Sequence, residues 1–300
     1  MNTEFMKSGI VVPILTPIDQ NELIDEQKLR RQVDYVIDGG VVGILAFGSN
    51  GEFYMVEEEE QERALKIILE QTAGRVPVFM GIGSISTKKC IRTAKMAKEM
   101  GADAVSVLQP MFLKPLEDEL YEHFQAIADA VSELPMLLYN NPGRTGYTLS
   151  GNLVERLAHG VSNIVGMKDS SGDMTQTEEF IRRNQDVGFK VYGGKDTLIY
   201  GSMVHGAAGC VATMANFVPE LVCSIISRYE EGDLKGALEA QYRLNPMRLA
   251  MDKGSWPVAT KDYANLFGLD VGIPYRPNKP STGEAYDLLV RGAKEAGLLN

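Results

Sequence analysis

The chain has 300 residues, of which 44% are hydrophobic and 23% are charged, a composition typical of a globular protein with a large core. Its formal net charge of −10 argues against a nucleic acid or an anionic membrane as partner, because both would repel it. The three cysteines and three histidines show no metal-ligand spacing, so we expect reduced thiols and no metal centre. The sequence shows neither an apolar leader nor an apolar run long enough to span a bilayer, so we expect a cytoplasmic location.

Eight short apolar segments recur along the chain, each rich in Val, Ile, Leu or aromatic residues and bounded by Gly, Pro or Asn. In chain order they are 9–15, 41–47, 76–81, 102–108, 135–140, 163–168, 189–194 and 207–213. Segments that are apolar on both faces predict parallel strands covered by helices.

Longer amphipathic segments separate these strands, as in 25–38 and in 57–70, which begins with acidic residues suited to a helix N-terminus. Two architectures fit, a closed eight-stranded barrel and an open doubly wound sheet. The open sheet usually carries a GxGxxG turn after its first strand, where this chain has TPIDQNE. Eight regular strand-plus-helix units therefore predict an α/β protein with a (β/α)8 TIM barrel.

The strand pattern stops after residue 217. Segments 218–230, 233–250, 256–267 and 283–297 have the pattern of helices, and a proline-rich link, PYRPNKP, occupies 274–280. We expect residues 1–217 to form the barrel that carries the active site and residues 218–300 to form a C-terminal helical extension.

Reactive groups of such barrels lie at the C-terminal ends of the strands, and the sixth apolar segment ends in Lys168. Burial favours the neutral form of an amine, and a neutral amine can form a Schiff base with a ketone. The iminium then accepts the electrons of a neighbouring C–C bond. The alternative is a structural lysine that reaches solvent or pairs with Asp169.

Three other strand ends carry candidate groups. Tyr139 could move protons near the amine, or it could be a core aromatic residue. The turn GSNGE at 48–52 offers backbone N–H groups for a carboxylate, although a plain βα turn is the alternative. Arg144 could bind a second carboxylate or remain solvated.

Together the motifs GSNGE at 48–52, YNNPGRTG at 139–146 and GMKDSSGD at 166–173 resemble the dihydrodipicolinate synthase/N-acetylneuraminate lyase family. The resemblance extends over essentially the whole chain. It implies a class I pyruvate-dependent aldolase that forms a lysine imine with its substrate and needs no cofactor. It also implies a homotetramer built as a dimer of dimers.

Carried over position by position, the resemblance assigns Lys168 as the nucleophile and Tyr139 as the proton shuttle. Ser49 and Asn50 would hold the pyruvate carboxylate, and the backbone around Val211 would shape the pyruvate pocket. Arg144 would bind an acidic or hydroxylated group at the far end of the substrate.

Departures from the family pattern bear on the substrate. Phe112 stands where the family commonly has a tyrosine that completes a proton relay. Phe112 has no hydroxyl, and Glu52 and Ser171 are candidates to replace the hydroxyl of that tyrosine. Ser49 and Asn50 replace two threonines of the synthase and favour a 4-hydroxy-2-oxoglutarate or 2-keto-3-deoxy sugar-acid aldolase. Arg144 fits the synthase instead and disfavours sialic acid.

Three functions therefore stay open from the sequence. The first is a lyase acting on a pyruvate-yielding 2-oxo acid, and the second is the synthase that condenses pyruvate with aspartate semialdehyde. The third is a non-catalytic barrel that binds an oxo acid and regulates a partner. In bacterial synthases of the family, feedback lysine is expected to bind at five positions. In this chain the residues there do not resemble a lysine-binding site, so we predict no inhibition by lysine. They are Phe53, Tyr54, Glu58, Gln61 and Met111.

Overall fold

Eight parallel strands close into a barrel in the computed structural model of the chain, which describes residues 3–299. The strands are β1 (Ile10–Pro13), β2 (Gly43–Ala46), β3 (Val78–Ile82), β4 (Ala104–Leu108), β5 (Met136–Asn140), β6 (Ile164–Asp169), β7 (Lys190–Gly193) and β8 (Gly209–Val211). Each strand pairs with the next in sequence, and β8 pairs with β1 where Val11 meets Val211. The predicted TIM barrel is confirmed, and the open sheet is wrong.

Helices connect successive strands on the outside of the barrel. They are α1 (Glu26–Asp38), α2 (Glu58–Thr72), α3 (Thr87–Met100), α4 (Glu117–Ala130), α5 (Pro142–Thr145), α6 (Gly151–Gly160), α7 (Met174–Asn184) and α8 (Ile199–Val204). Local sequence explains several of their starts, since Asp25, Ser150 and Asp173 each accept a hydrogen bond from a first-turn backbone N–H. The acidic start of α2 also lies where the helix dipole favours negative charge.

Four further helices follow β8, as the sequence predicts. They are α9 (Pro219–Glu230), α10 (Leu234–Met251), α11 (Val258–Leu266) and α12 (Glu284–Glu295). Helix α9 packs against α8 and β1, and α10 packs against α9 and α12. Residues Val258 to Ala264 of α11 are all buried, so this helix has protein on every side. The proposed division of the chain at residue 217 stays a prediction.

Two apolar cores hold the barrel. The larger lies between the strands and the helices. The smaller fills the barrel interior, with residues from the strands and from the N-terminal segment: Met6, Val11, Leu45, Phe79, Ala104, Leu137, Val165, Tyr192 and Val211. Polar strand ends lie above this interior core, so the fold places the candidate chemistry at one mouth of the barrel.

Two general findings concern residues 3–299 as a whole. Each helix there is too short or too polar to pass through a lipid bilayer. No group of three or more His, Cys, Asp or Glu side chains in that range is placed to bind a metal ion together.

Candidate active site

Lys168 and Tyr139 lie side by side on neighbouring strands. The pairing of β5 with β6 puts the two residues in register. Both are buried, with 5% of each exposed, and Nζ of Lys168 lies 4.3 Å from the centre of the Tyr139 ring. The strand-end lysine expected from the sequence is thus accompanied by a phenol, and both side chains are largely buried.

The environment of Tyr139 makes its phenol more acidic than usual. Burial opposes ionisation and is the largest single influence on the group. The charge of Lys168 acts in the opposite direction, as do hydrogen bonds with Ser49, Ser170 and Asn141. The Asn141 amide nitrogen donates to the phenolic oxygen at 2.7 Å. Together these partners lower the pKa of Tyr139 below its ordinary value.

Asp169 is directed away from Lys168, because successive side chains of a strand point to opposite faces. Its carboxylate accepts hydrogen bonds from the Asn140 amide at 2.8 Å and from the hydroxyls of Ser171 and Thr177. The alternative in which Lys168 pairs with Asp169 is therefore wrong. Ser171, one of the two proposed replacements for the relay hydroxyl, is also engaged with this carboxylate.

The turn after β2 is a short 3-10 helix, Ser49–Gly51, that ends at Glu52 in the left-handed region with φ 51°. Its first backbone N–H groups have no preceding helical carbonyl to pair with, so they are available as donors. The Asn50 side chain is used inside the protein: its Nδ2 donates to Thr213 Oγ1 at 3.0 Å, and its Oδ1 accepts from Thr260 Oγ1 at 3.1 Å.

Glu52 is wholly buried and forms an ion pair with Lys261 of α11, at 2.6 Å between Oε2 and Nζ. Its other oxygen accepts from the backbone N–H of Tyr275 at 3.1 Å, and Lys261 also donates to the carbonyl of Ile273 at 2.8 Å. Burial lowers the pKa of Lys261, and the charge of Glu52 offsets this only in part. Glu52 therefore anchors the turn and does not face the candidate proton relay.

Five of the six site residues predicted from the sequence line one cleft of about 390 Å³ at the mouth of the barrel: Ser49, Asn50, Tyr139, Arg144 and Lys168. Val211, the sixth, lies one layer lower in the barrel interior, where it borders a cavity of about 10 Å³ together with Lys168. Thr213, two residues further along the chain, reaches the cleft instead.

Arg248 and Trp256 are among the cleft residues that the sequence does not predict. The Arg248 guanidinium lies 5.0 Å from the Trp256 ring centre, and that of Arg144 lies 5.8 Å from the same ring. Arg248 also approaches Asp196 at 3.8 Å and Asp252 at 2.6 Å. These residues belong to α10 and the segment after it, where no strand end marks them.

The cleft carries more positive than negative charge. Four basic residues line it, Arg144, Lys168, Lys195 and Arg248, against two acidic residues, Asp196 and Asp252. Burial raises the pKa of Asp196, even though the nearby Arg248 opposes this. A basic cleft in a chain of net charge −10 attracts small acidic molecules.

An apolar patch lies on the segment that joins β4 to α4. Phe112, with φ 79°, is 87% exposed, and Leu113 and Leu116 are exposed to 74% and 72%. Three large, exposed apolar side chains within five residues of one segment make it a candidate interaction surface.

The five positions at which a feedback lysine is expected to bind lie in a separate surface cleft of about 450 Å³. They are Phe53, Tyr54, Glu58, Gln61 and Met111. Insensitivity to lysine stays a prediction.

Comparison with known proteins gives a consistent result. Residues 6–296 match the model of the dihydrodipicolinate synthetase family. The 4-hydroxy-tetrahydrodipicolinate synthase of Methanopyrus kandleri is 33% identical over 98% of each chain. The dihydrodipicolinate synthase of Acinetobacter baumannii, solved in complex with pyruvate, is 33% identical and superimposes with a TM-score of 0.92 over 97% of this chain and 99% of that one. A monomeric dihydrodipicolinate synthase variant, 29% identical, gives a TM-score of 0.94 over 98% of each chain.

Proposed function

The chain belongs to the dihydrodipicolinate synthetase family, and from that premise we propose that it catalyses the 4-hydroxy-tetrahydrodipicolinate synthase reaction, joining pyruvate to aspartate semialdehyde. Its enzyme class is that of the family, the Schiff-base aldolases. The observation that carries the proposal is the buried Lys168–Tyr139 pair in a basic cleft.

Lys168 begins the proposed reaction. Its Nζ attacks the keto carbon of pyruvate, and loss of water leaves an imine. Removal of a methyl proton then gives an enamine, whose carbon attacks the aldehyde and forms the new C–C bond. The amino group of the former semialdehyde then attacks the iminium carbon and expels Nζ of Lys168, which closes the ring and frees the lysine. Tyr139 is placed to pass protons in these steps, because its phenol is adjacent to the amine and more acidic than usual. The imine acts as electron sink, so the proposal needs no cofactor.

The two substrate carboxylates are assigned to two different groups of cleft residues. The pyruvate carboxylate is assigned to the turn at Ser49 and Asn50, through backbone N–H groups and the Ser49 hydroxyl. Since the Asn50 side chain is bonded to Thr213 and Thr260, its contribution at the carboxylate comes from the main chain. The carboxylate of the aldehyde is assigned to Arg144 at the rim.

A second candidate is cleavage of 4-hydroxy-2-oxoglutarate or a 2-keto-3-deoxy sugar acid to pyruvate and an aldehyde. The sequence alone favours it, because Ser49 and Asn50 replace threonines and Phe112 lacks the relay hydroxyl. The named relatives favour the synthase, which we therefore place first. Both reactions share the Lys168 imine.

We also propose a homotetramer. Its support is the apolar patch at Phe112, Leu113 and Leu116, which a neighbouring subunit would cover. The monomeric variant among the structural neighbours shows that the same fold also exists as a single subunit.

Reduction with borohydride in the presence of pyruvate, followed by peptide mass spectrometry, tests the proposal. A reduced pyruvyl adduct on Lys168, absent from Lys168→Ala, is the expected result. A panel of aspartate semialdehyde, 4-hydroxy-2-oxoglutarate and 2-keto-3-deoxygluconate then separates the two candidates by turnover. Reversible pyruvate binding without an adduct would support the regulatory barrel and refute the enzyme mechanism.

A further inference from the structure

The turn that carries Ser49 and Asn50 is supported by a part of the chain about two hundred residues away. Asn50 and Glu52 both contact α11, through Thr260 and Lys261 respectively. These two neighbouring residues of one buried helix therefore contact the middle of the turn and the residue that ends it.

The hydroxyl of Thr260 anchors one end of the Asn50 amide. It donates to Oδ1 of Asn50 at 3.1 Å, while Nδ2 of the same amide donates to Thr213 at 3.0 Å. The two contacts are complementary: one partner gives a proton to the amide, and the other accepts one from it. Each threonine hydroxyl can donate or accept, so the two bonds together satisfy both ends of the buried amide and fix its position.

Thr260 is fully buried and does not line the cleft, unlike Thr213. It therefore has no route to the substrate except through Asn50. Without its hydroxyl, Oδ1 of Asn50 would be a buried acceptor with no donor from α11, which favours rearrangement of the amide and of the turn to which it belongs.

We propose that Thr260 is a positioning residue for the pyruvate carboxylate: its hydroxyl holds the Asn50 amide and thereby aligns the N–H groups of the turn. The inference rests on the proposed function and assigns a specific task to the C-terminal helix α11. Lys168 belongs to β6 and is not part of the turn, and Tyr139, although hydrogen-bonded to Ser49, keeps its bonds to Ser170 and Asn141. The loss of the Thr260 contact therefore weakens pyruvate binding and leaves imine chemistry at saturation intact.

The test compares Thr260→Val, which removes the hydroxyl at nearly constant volume, with Thr260→Ser, which keeps it. Thr72→Val is the matched control, because Thr72 is equally buried, is remote from the cleft, and its hydroxyl has no hydrogen-bond partner within residues 3–299. The rate of borohydride trapping is measured against pyruvate concentration. Thr260→Val is expected to raise the half-saturating concentration roughly fivefold to tenfold, the effect of losing one neutral hydrogen bond. The plateau rate stays constant, and the other two variants match the wild type.

An unchanged half-saturating concentration in Thr260→Val, with normal trapping in the wild type, overturns the inference. A lower plateau at constant half-saturation also overturns it, because that pattern belongs to a general structural role. No adduct in the wild type refutes the proposed function itself, and with it this inference. Thr260→Ala serves as the test variant if the valine variant does not fold.

Discussion

Nζ of Lys168 lies 4.3 Å from the centre of the Tyr139 ring, with both residues buried and in register on adjacent strands. A positive charge so close to a phenol favours its ionised form, and the pKa of Tyr139 lies below its ordinary value despite burial. This relationship can be tested without any substrate.

We predict that Tyr139 ionises at lower pH than the chain's other buried tyrosines. Burial raises the pKa of Tyr147 to about 12, and it shifts Tyr192 and Tyr263 in the same direction. The measurement is the ultraviolet difference spectrum between wild type and Tyr139→Phe as pH rises, in which the midpoint of the tyrosinate signal should lie below pH 10. In Lys168→Met this midpoint should move to higher pH. A midpoint at or above pH 10 in the wild type would contradict the prediction.

Arg144 should control affinity for the acidic aldehyde and not for pyruvate. Loss of one charged hydrogen bond costs about 1.5–3 kcal/mol, so Arg144→Ala is expected to raise KM for aspartate semialdehyde by about tenfold to a hundredfold. The half-saturating pyruvate concentration in borohydride trapping should stay unchanged. Arg182→Ala, a change in an exposed surface ion pair, is the control. Equal effects on both substrates would contradict the assignment of Arg144 to the aldehyde.

Phe112 should hold subunits together. Replacing it by Asp puts a charge into the apolar patch, which is expected to shift the protein to smaller species in sedimentation velocity at micromolar concentration. Leu234→Asp is the control, because Leu234 is 50% exposed at the start of α10 and separate from this patch. The assignment fails if the Phe112→Asp variant sediments like the wild type.

Removing one partner of the buried Glu52–Lys261 pair should strongly lower the free energy of unfolding. Lys261→Met leaves a buried carboxylate without its counter-charge, and the free energy of unfolding should fall by about 3–5 kcal/mol in urea titrations. Adding Glu52→Gln to that variant should restore much of the loss. Lys235→Met, in an exposed pair with Glu239, should change stability by less than about 1 kcal/mol. A double variant as unstable as Lys261→Met alone would contradict this account.

His123 should make the protein sensitive to mild acid. Burial lowers the pKa of His123 to about 4, against about 6.5 for an exposed histidine. Between pH 6.5 and 4, His123 is therefore protonated in the unfolded chain but stays neutral in the folded chain. The free energy of unfolding consequently falls as pH falls through that range. The loss is about 2 kcal/mol by pH 5 and is absent above pH 7.

The matched variant is His123→Asn, whose amide can replace Nδ1 as partner of the Thr87 hydroxyl, which lies 2.8 Å away. Urea unfolding at pH 7 and pH 5 should show a smaller loss of stability on acidification in this variant than in the wild type. Parallel losses in the two proteins would show that other groups account for the acid sensitivity.

The sequence predicts the barrel and the central pair because both depend on local signals. Alternating apolar and amphipathic segments define the strands and helices, and Lys168 and Tyr139 each end a strand, where a parallel barrel must place side chains together. The Asp169 pairing fails for an equally local reason, since adjacent residues of a strand face opposite sides.

The residues that the sequence does not predict come from tertiary contacts. Arg248, Trp256 and Thr260 belong to α10 and the region after it, where hydrophobic patterning says only that a helix exists. Their roles depend on how the extension packs over the mouth of the barrel. The placement of Val211 below the cleft likewise depends on the stagger of β8, which composition does not encode.

The support of the turn by α11 also orders events during synthesis. Ser49 to Glu52 leave the ribosome early, whereas Thr260, Lys261 and Tyr275 are translated near the end. At about 5–20 residues per second the turn waits roughly 10–40 s for these partners. A nascent chain that already contains all eight strands therefore still has Glu52 without its lysine partner, and the turn proposed to bind pyruvate gains this support only as the last helices dock.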